Sequence, residues 1–200
     1  MRYTLKDYQA EAVRDVLRNL ERARDSYRRY IAKSQFSLAA TTGAGKTVMA
    51  AAVIEALFFG SDEFDIAPDP GAVVLWFSDD PALNEQSRAR IQAAASELDH
   101  RLRVVPTTFS EPSFRPGNVY FLNTQKLSKN SRLVKGAPEG NGDETLPGLE
   151  RRPDEVQSSI YDTITNTIAN EDLTLYLVLD EAHRGMGTRV SERSTIVQRL

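Results

Sequence analysis

Apolar residues recur at three- and four-residue spacing between Lys6 and Ile31: Tyr8, Ala12, Val13, Val16, Leu17, Leu20, Ala23 and Tyr27. That period lines one face of an α-helix. The opposite face carries Arg14, Arg18 and Arg22, interleaved with Glu11, Asp15, Glu21 and Asp25. It reads either as a basic stripe for phosphates or as an ordinary solvated face. Phe36 to Thr41 is a short apolar run that predicts a buried strand. Thr47 to Phe59 is apolar all round, which predicts a helix buried on several sides. Gly60 to Gly71 holds acidic residues and two prolines and predicts a surface loop. Ala72 to Phe77 is continuously apolar, as in a parallel sheet covered on both faces. Pro81 to Leu98 predicts a helix with proline in its first turn. Leu102–Val105 and Val119–Leu122 are further strand candidates. The stretch 128–152 is rich in glycine and proline and predicts a long surface loop or insertion. Asp154 to Ala169 predicts an amphipathic helix, and Leu173 to Leu179 a last apolar strand. Strands alternating with helices predict an α/β sandwich with a mainly parallel sheet.

Composition narrows the class without naming it. The 200 residues are 40% hydrophobic and 26% charged, the balance of one soluble globular domain. No cysteine is present, which excludes disulfides and thiolate zinc sites. The first residues are charged and no apolar run approaches a membrane span, so a cytoplasmic setting is expected. The net charge of −3 gives no support to a nucleic-acid partner, though a local phosphate track remains compatible with it.

The chemistry concentrates at two places. The first is Ala40-Thr41-Thr42-Gly43-Ala44-Gly45-Lys46-Thr47, between an expected strand and an expected helix. Backbone N–H groups of such a loop point at phosphate oxygens, and its glycines let the backbone approach them. Thr42, Gly43, Ala44 and Gly45 would cradle the phosphates. Lys46 would face the β- and γ-phosphates, and the Thr47 hydroxyl would ligate Mg²⁺. The second place is Asp180-Glu181-Ala182-His183, delivered by the strand ending at Leu179. Carboxylates there sit at the edge of a parallel sheet where ligands bind. Asp180 would hold Mg²⁺ opposite Thr47, and Glu181 would orient and deprotonate the attacking water. The expected ligands are therefore a nucleoside triphosphate and Mg²⁺.

The Ala-x-x-Gly-x-Gly-Lys-Thr loop resembles the variant used by superfamily 2 helicases, and Asp-Glu-Ala-His is the DEAH form of their acidic box. The Leu5-Lys6-Asp7-Tyr8-Gln9 segment looks like one near the start of such motors. There the glutamine reads the adenine edge, and the resemblance gives that part to Gln9. The alternative is a polar residue on the first helical turn. Leu83-Asn84-Glu85-Gln86 is similar to the end of the family's motif Ia, with Asp80-Pro81 where the RNA helicases carry Thr-Arg. Asn123-Thr124-Gln125-Lys126-Leu127 looks like a further motif. Thr124 is accordingly either a nucleic-acid phosphate contact or a helix cap. His183 would contribute to coupling the nucleotide and nucleic-acid sites, or be structural.

The texture is closest to the restriction-subunit proteins of type III systems. What this implies is a RecA-like P-loop NTPase fold, a three-layer α/β/α sandwich, serving as the first motor domain of a longer protein. The resemblance implies an ATP-hydrolysing helicase or translocase acting on DNA rather than RNA. A second RecA-like domain in the same longer chain would supply arginines, and a methyltransferase or nuclease is a possible partner. The alternatives are an RNA helicase domain and a nucleotide-binding assembly module without turnover of its own.

Overall fold

The computed structural model describes residues 1–41, 43–127, 131–135 and 158–180. The chain begins with α1 (Asp7–Tyr30), then α2 (Lys46–Phe59), β1 (Ala72–Ser78) and α3 (Pro81–Ala94). A 3-10 turn (Ser96–Arg101) leads to β2 (Leu102–Val104) and β3 (Asn118–Asn123). After a second 3-10 turn (Thr124–Leu127) come α4 (Arg132–Lys135), α5 (Ile160–Ala169) and β4 (Thr174–Leu179). The four strands form one sheet in the order β2-β3-β1-β4, and every pairing is parallel.

The continuous apolar strands are explained by what covers them. All seven residues of β1 are buried. Val73, Leu75 and Phe77 face one side with Tyr120 and Leu122, where Ile160 and Ile164 of α5 close the layer. Val74 and Trp76 face the other side with Val119 and Phe121, under Ile91 and Ala94 of α3 and Ala51 and Ile54 of α2. Each large side chain so buried contributes about 1.5–3 kcal/mol. The register puts Phe77 beside Leu122 on one flank and Leu179 on the other, so the three strands end at one edge.

Helix α2 is apolar all round because it is a middle layer. Ala51 and Ile54 meet the sheet, while Met49, Ala52, Val53, Ala56 and Leu57 meet Val13 and Leu17 of α1. Helix α3 starts where Pro81 fits the first turn and the Asp80 carboxylate accepts from the Ala82 N–H at 2.8 Å. Helix α5 starts at a capping box in which Ser159 and Asp162 bond each other's backbone N–H.

Helix α3 ends at Ala94, short of the expected Leu98, helix α5 starts only at Ile160, behind its Ser159 cap, and three further stretches differ from the pattern-based expectation. Residues 36–41 form no strand, and Phe36 is 46% exposed. A strand is made by its ladder, and no described strand lies beside this segment; Leu38 and Ala40 pack instead against the α1–α2 layer. The loop 60–71 is not simply a surface loop, since Phe64, Ile66 and Asp69 are buried. Within 128–152, only residues 131–135 are described; there Leu133 of α4 is buried in the sheet's core, and the rest of the stretch lies outside the described residues.

Candidate nucleotide site at the sheet edge

The phosphate-loop residues precede α2 as the spacing implies. Gly43 and Gly45 have φ of 85° and 86°, a region that costs other L-residues about 1–2 kcal/mol. A Cβ at Gly45 would lie 2.5 Å from Gln9 Nε2, so a side chain there would also push the Gln9 amide aside. The Ala44 N–H donates to Thr41 O at 3.1 Å and closes the turn. No side chain caps the N-terminus of α2, and its first turn holds no acid. Its leading N–H groups and the positive end of its dipole therefore suit an anion. Lys46 is exposed and Thr47 half-buried on that first turn. Thr42 lies outside the described residues.

The structure brings Gln9 onto this loop. Its Oε1 accepts from the Lys6 N–H at 3.0 Å, which caps α1, and its Nε2 donates to Ala44 O at 2.9 Å. The Tyr8 hydroxyl donates to the same carbonyl at 3.1 Å. An amide has two N–H groups and two lone pairs on oxygen, so these bonds leave capacity for a base edge. Gln9 thus ties the first helix to the loop that precedes the second.

Asp180 follows β4, and its N–H donates to Phe77 O at 2.9 Å, extending the ladder by one residue. Its Oδ2 accepts from the Ser87 hydroxyl of α3 at 2.8 Å. Glu181 and His183 lie outside the described residues. Among the described residues, no cluster of three or more His, Cys, Asp or Glu side chains is placed to hold a metal. Thr47 and Asp180 supply hard oxygen donors of the kind Mg²⁺ takes alongside water and phosphate.

Thr124 lies on the same edge, after β3. Its hydroxyl donates to Asp79 O at 2.8 Å, tying the end of β3 to the end of β1. The turn it opens is capped by Asn123, whose Oδ1 accepts from the Lys126 N–H at 3.2 Å. The hydroxyl proton that a phosphate oxygen would need is engaged there. Beside it opens a cleft of about 540 Å³ lined by Pro81, Thr107, Thr108, Asn123, Gln125, Lys126 and Ser131. Burial pushes the Lys126 ammonium below the usual lysine range, against the opposing pull of Glu85. Its Nζ donates to Val105 O. Residue patterns did not single out Ser87, which follows the Leu83–Gln86 segment, and within Asn123–Leu127 they marked Thr124 rather than Lys126.

A parallel α/β sheet with a glycine loop opening a helix and an acid at the end of a strand defines a phosphate-binding P-loop class of protein. The family model for the type III restriction enzyme, res subunit, matches residues 2–198, and the chain belongs to that family of helicase-like ATPase motor domains with a RecA-like fold. No curated protein and no solved structure matches the chain. Among the described residues, no helix is long and apolar enough to cross a membrane.

Proposed function

We propose that this chain binds Mg-ATP at the loop before α2 and hydrolyses it to drive movement along DNA. The observation that carries the reading is the uncapped N-terminus of α2 behind two left-handed glycines, held by Gln9 and Tyr8. Backbone N–H groups from Gly43 to Thr47, with Thr42, bind the phosphate oxygens, and Lys46 adds a point charge at the β- and γ-phosphates. Gln9 reads the adenine edge, where a side-chain amide both donates and accepts. Thr47 and Asp180 would hold Mg²⁺, which when bound would supply charge neutralisation at the transferring phosphoryl group. Glu181 takes the proton of the attacking water, and His183 couples the site to the nucleic acid. A second RecA-like domain would contribute arginines across the nucleotide, worth roughly 10³–10⁵ in rate.

DNA is favoured over RNA by the restriction-enzyme family. The cleft beside Thr124, with Lys126 in its wall, lies at the same strand ends and is the surface offered to a phosphate backbone. Family membership equally leaves room for a methyltransferase or nuclease partner.

The test uses the whole protein. Lys46→Ala is expected to lose nucleotide binding and turnover. Glu181→Gln is expected to retain Mg-ATP binding and lose turnover, because it keeps shape and removes the base. Duplex DNA should stimulate the wild-type rate more than duplex RNA does. Normal turnover in Lys46→Ala refutes the site, and greater stimulation by RNA refutes the substrate. Binding without turnover in the wild type would favour the assembly-module alternative.

A further inference from the structure

We propose that Ser87 is a positioning residue that orients the Asp180 carboxylate and thereby sets the affinity of the site for Mg²⁺. The proposal rests on the Mg-ATP reading above and adds to it a residue outside the phosphate loop and the acidic box.

Ser87 is 6% exposed, and its Oγ donates to Asp180 Oδ2 at 2.8 Å. A buried helical hydroxyl has an easier partner in the carbonyl one turn back. Thr167 of α5 takes that option, donating to Thr163 O at 2.6 Å. Ser87 instead reaches out of its own helix to a residue 93 positions away. A hydrogen bond to an ionised carboxylate is about twice as strong as one between neutral groups. It also fixes which carboxylate oxygen faces α3, and so how the group is turned about its bond.

The hydroxyl is well held from behind. Helix α3 is anchored at its start by Asp80. Asn84, one turn before Ser87, accepts from the Ser78 hydroxyl at the end of β1, at 2.8 Å. Ile91 and Ala94, one and two turns later, are fully buried on the sheet. The donor therefore stands on a rigid element, which is the requirement for orienting a metal ligand through a neighbour.

The test is Ser87→Ala in the whole protein. Alanine is a good helix former, and the variant should fold. Binding of a fluorescent ATP analogue is measured against Mg²⁺ concentration and also in EDTA. Removing such an outer partner typically costs about 10–100-fold in metal affinity. The variant should need at least about tenfold more Mg²⁺ for half-maximal binding and for half-maximal turnover. Its affinity for the analogue in EDTA should match the wild type. A Mg²⁺ requirement within about twofold of wild type overturns the proposal. So does a loss of affinity that is equal in Mg²⁺ and in EDTA, since that would mark a general structural role. A wild-type protein whose nucleotide binding ignores Mg²⁺ overturns the Mg-ATP reading as well, and is told apart by the wild-type curve alone.

Discussion

The strongest stability prediction concerns a carboxylate that joins three parts of the chain. Asp69, in the loop after α2, is 3% exposed. Its Oδ2 accepts from the Tyr176 hydroxyl of β4 at 2.8 Å and lies 3.3 Å from Arg24 of α1. Its Oδ1 accepts from the Gly71 N–H at 3.2 Å. Tyr176→Phe removes one hydrogen bond to a charged acceptor, a class worth about 1.5–3 kcal/mol. Two partners remain on Asp69, so the cost belongs at the lower end, about 1.5 kcal/mol. Asp69→Ala strands the Tyr176 hydroxyl and a mostly buried guanidinium. Breaking a buried pair costs about 3–5 kcal/mol, and the partial exposure of Arg24 places this one near about 3 kcal/mol. In the double variant the phenol is already gone, so the two costs should fall short of additivity by about 1 kcal/mol. Urea unfolding followed by circular dichroism measures all three. A cost below about 0.5 kcal/mol for Tyr176→Phe, or strict additivity, would refute the bridging role of Asp69.

Two further outcomes follow from neighbouring features. Burial, and then the Asp69 charge, push the Tyr176 phenol well above its ordinary value. The folded protein therefore holds this proton longer than the unfolded chain does. The stabilisation is fully present below about pH 10 and is lost as pH rises beyond it, by up to about 1.4 kcal/mol per pH unit. Denaturant midpoints between pH 9 and 11 should fall less steeply in Tyr176→Phe; parallel curves would contradict this. At the phosphate loop, Gln9→Ala removes the bonds to Ala44 O and the Lys6 N–H. It also removes the amide proposed to read the adenine edge; losing one or two modest hydrogen bonds there predicts a roughly tenfold weaker nucleotide titration, with most of the thermal stability kept because α1 remains packed through Val13 and Leu17. Unchanged affinity would leave Gln9 with a helix-capping role only.

How much of this could be read from the chain depends on the range of the interaction that fixes each feature. Phe77 and Leu122 are legible because a strand covered on both faces must be apolar at every position, and the neighbouring residues say so. Gly43 and Gly45 are legible because their conformation is a local property of the residue type. Asp69 reads as a loop acid beside two prolines, and only Tyr176, 107 residues later, turns it into a buried anchor. Ser87 reads as one polar residue among Gln86, Arg88 and Arg90, and only Asp180 gives it a purpose. The segment 36–41 fails in the opposite direction. Its composition satisfies a strand, but pairing belongs to two segments at once, and an apolar run without a described neighbour has no ladder to join. The same logic bears on Thr124. Its place after a strand suits either a phosphate contact or a local cap, and the partner it takes is a carbonyl 45 residues away that neither option names. Side chains at the strand ends are thus committed first to structural ties, Thr124 joining β3 to the end of β1 and Asp180 joining β4 to α3. What is left over for a ligand is set by those ties, and local motif spacing carries no record of them.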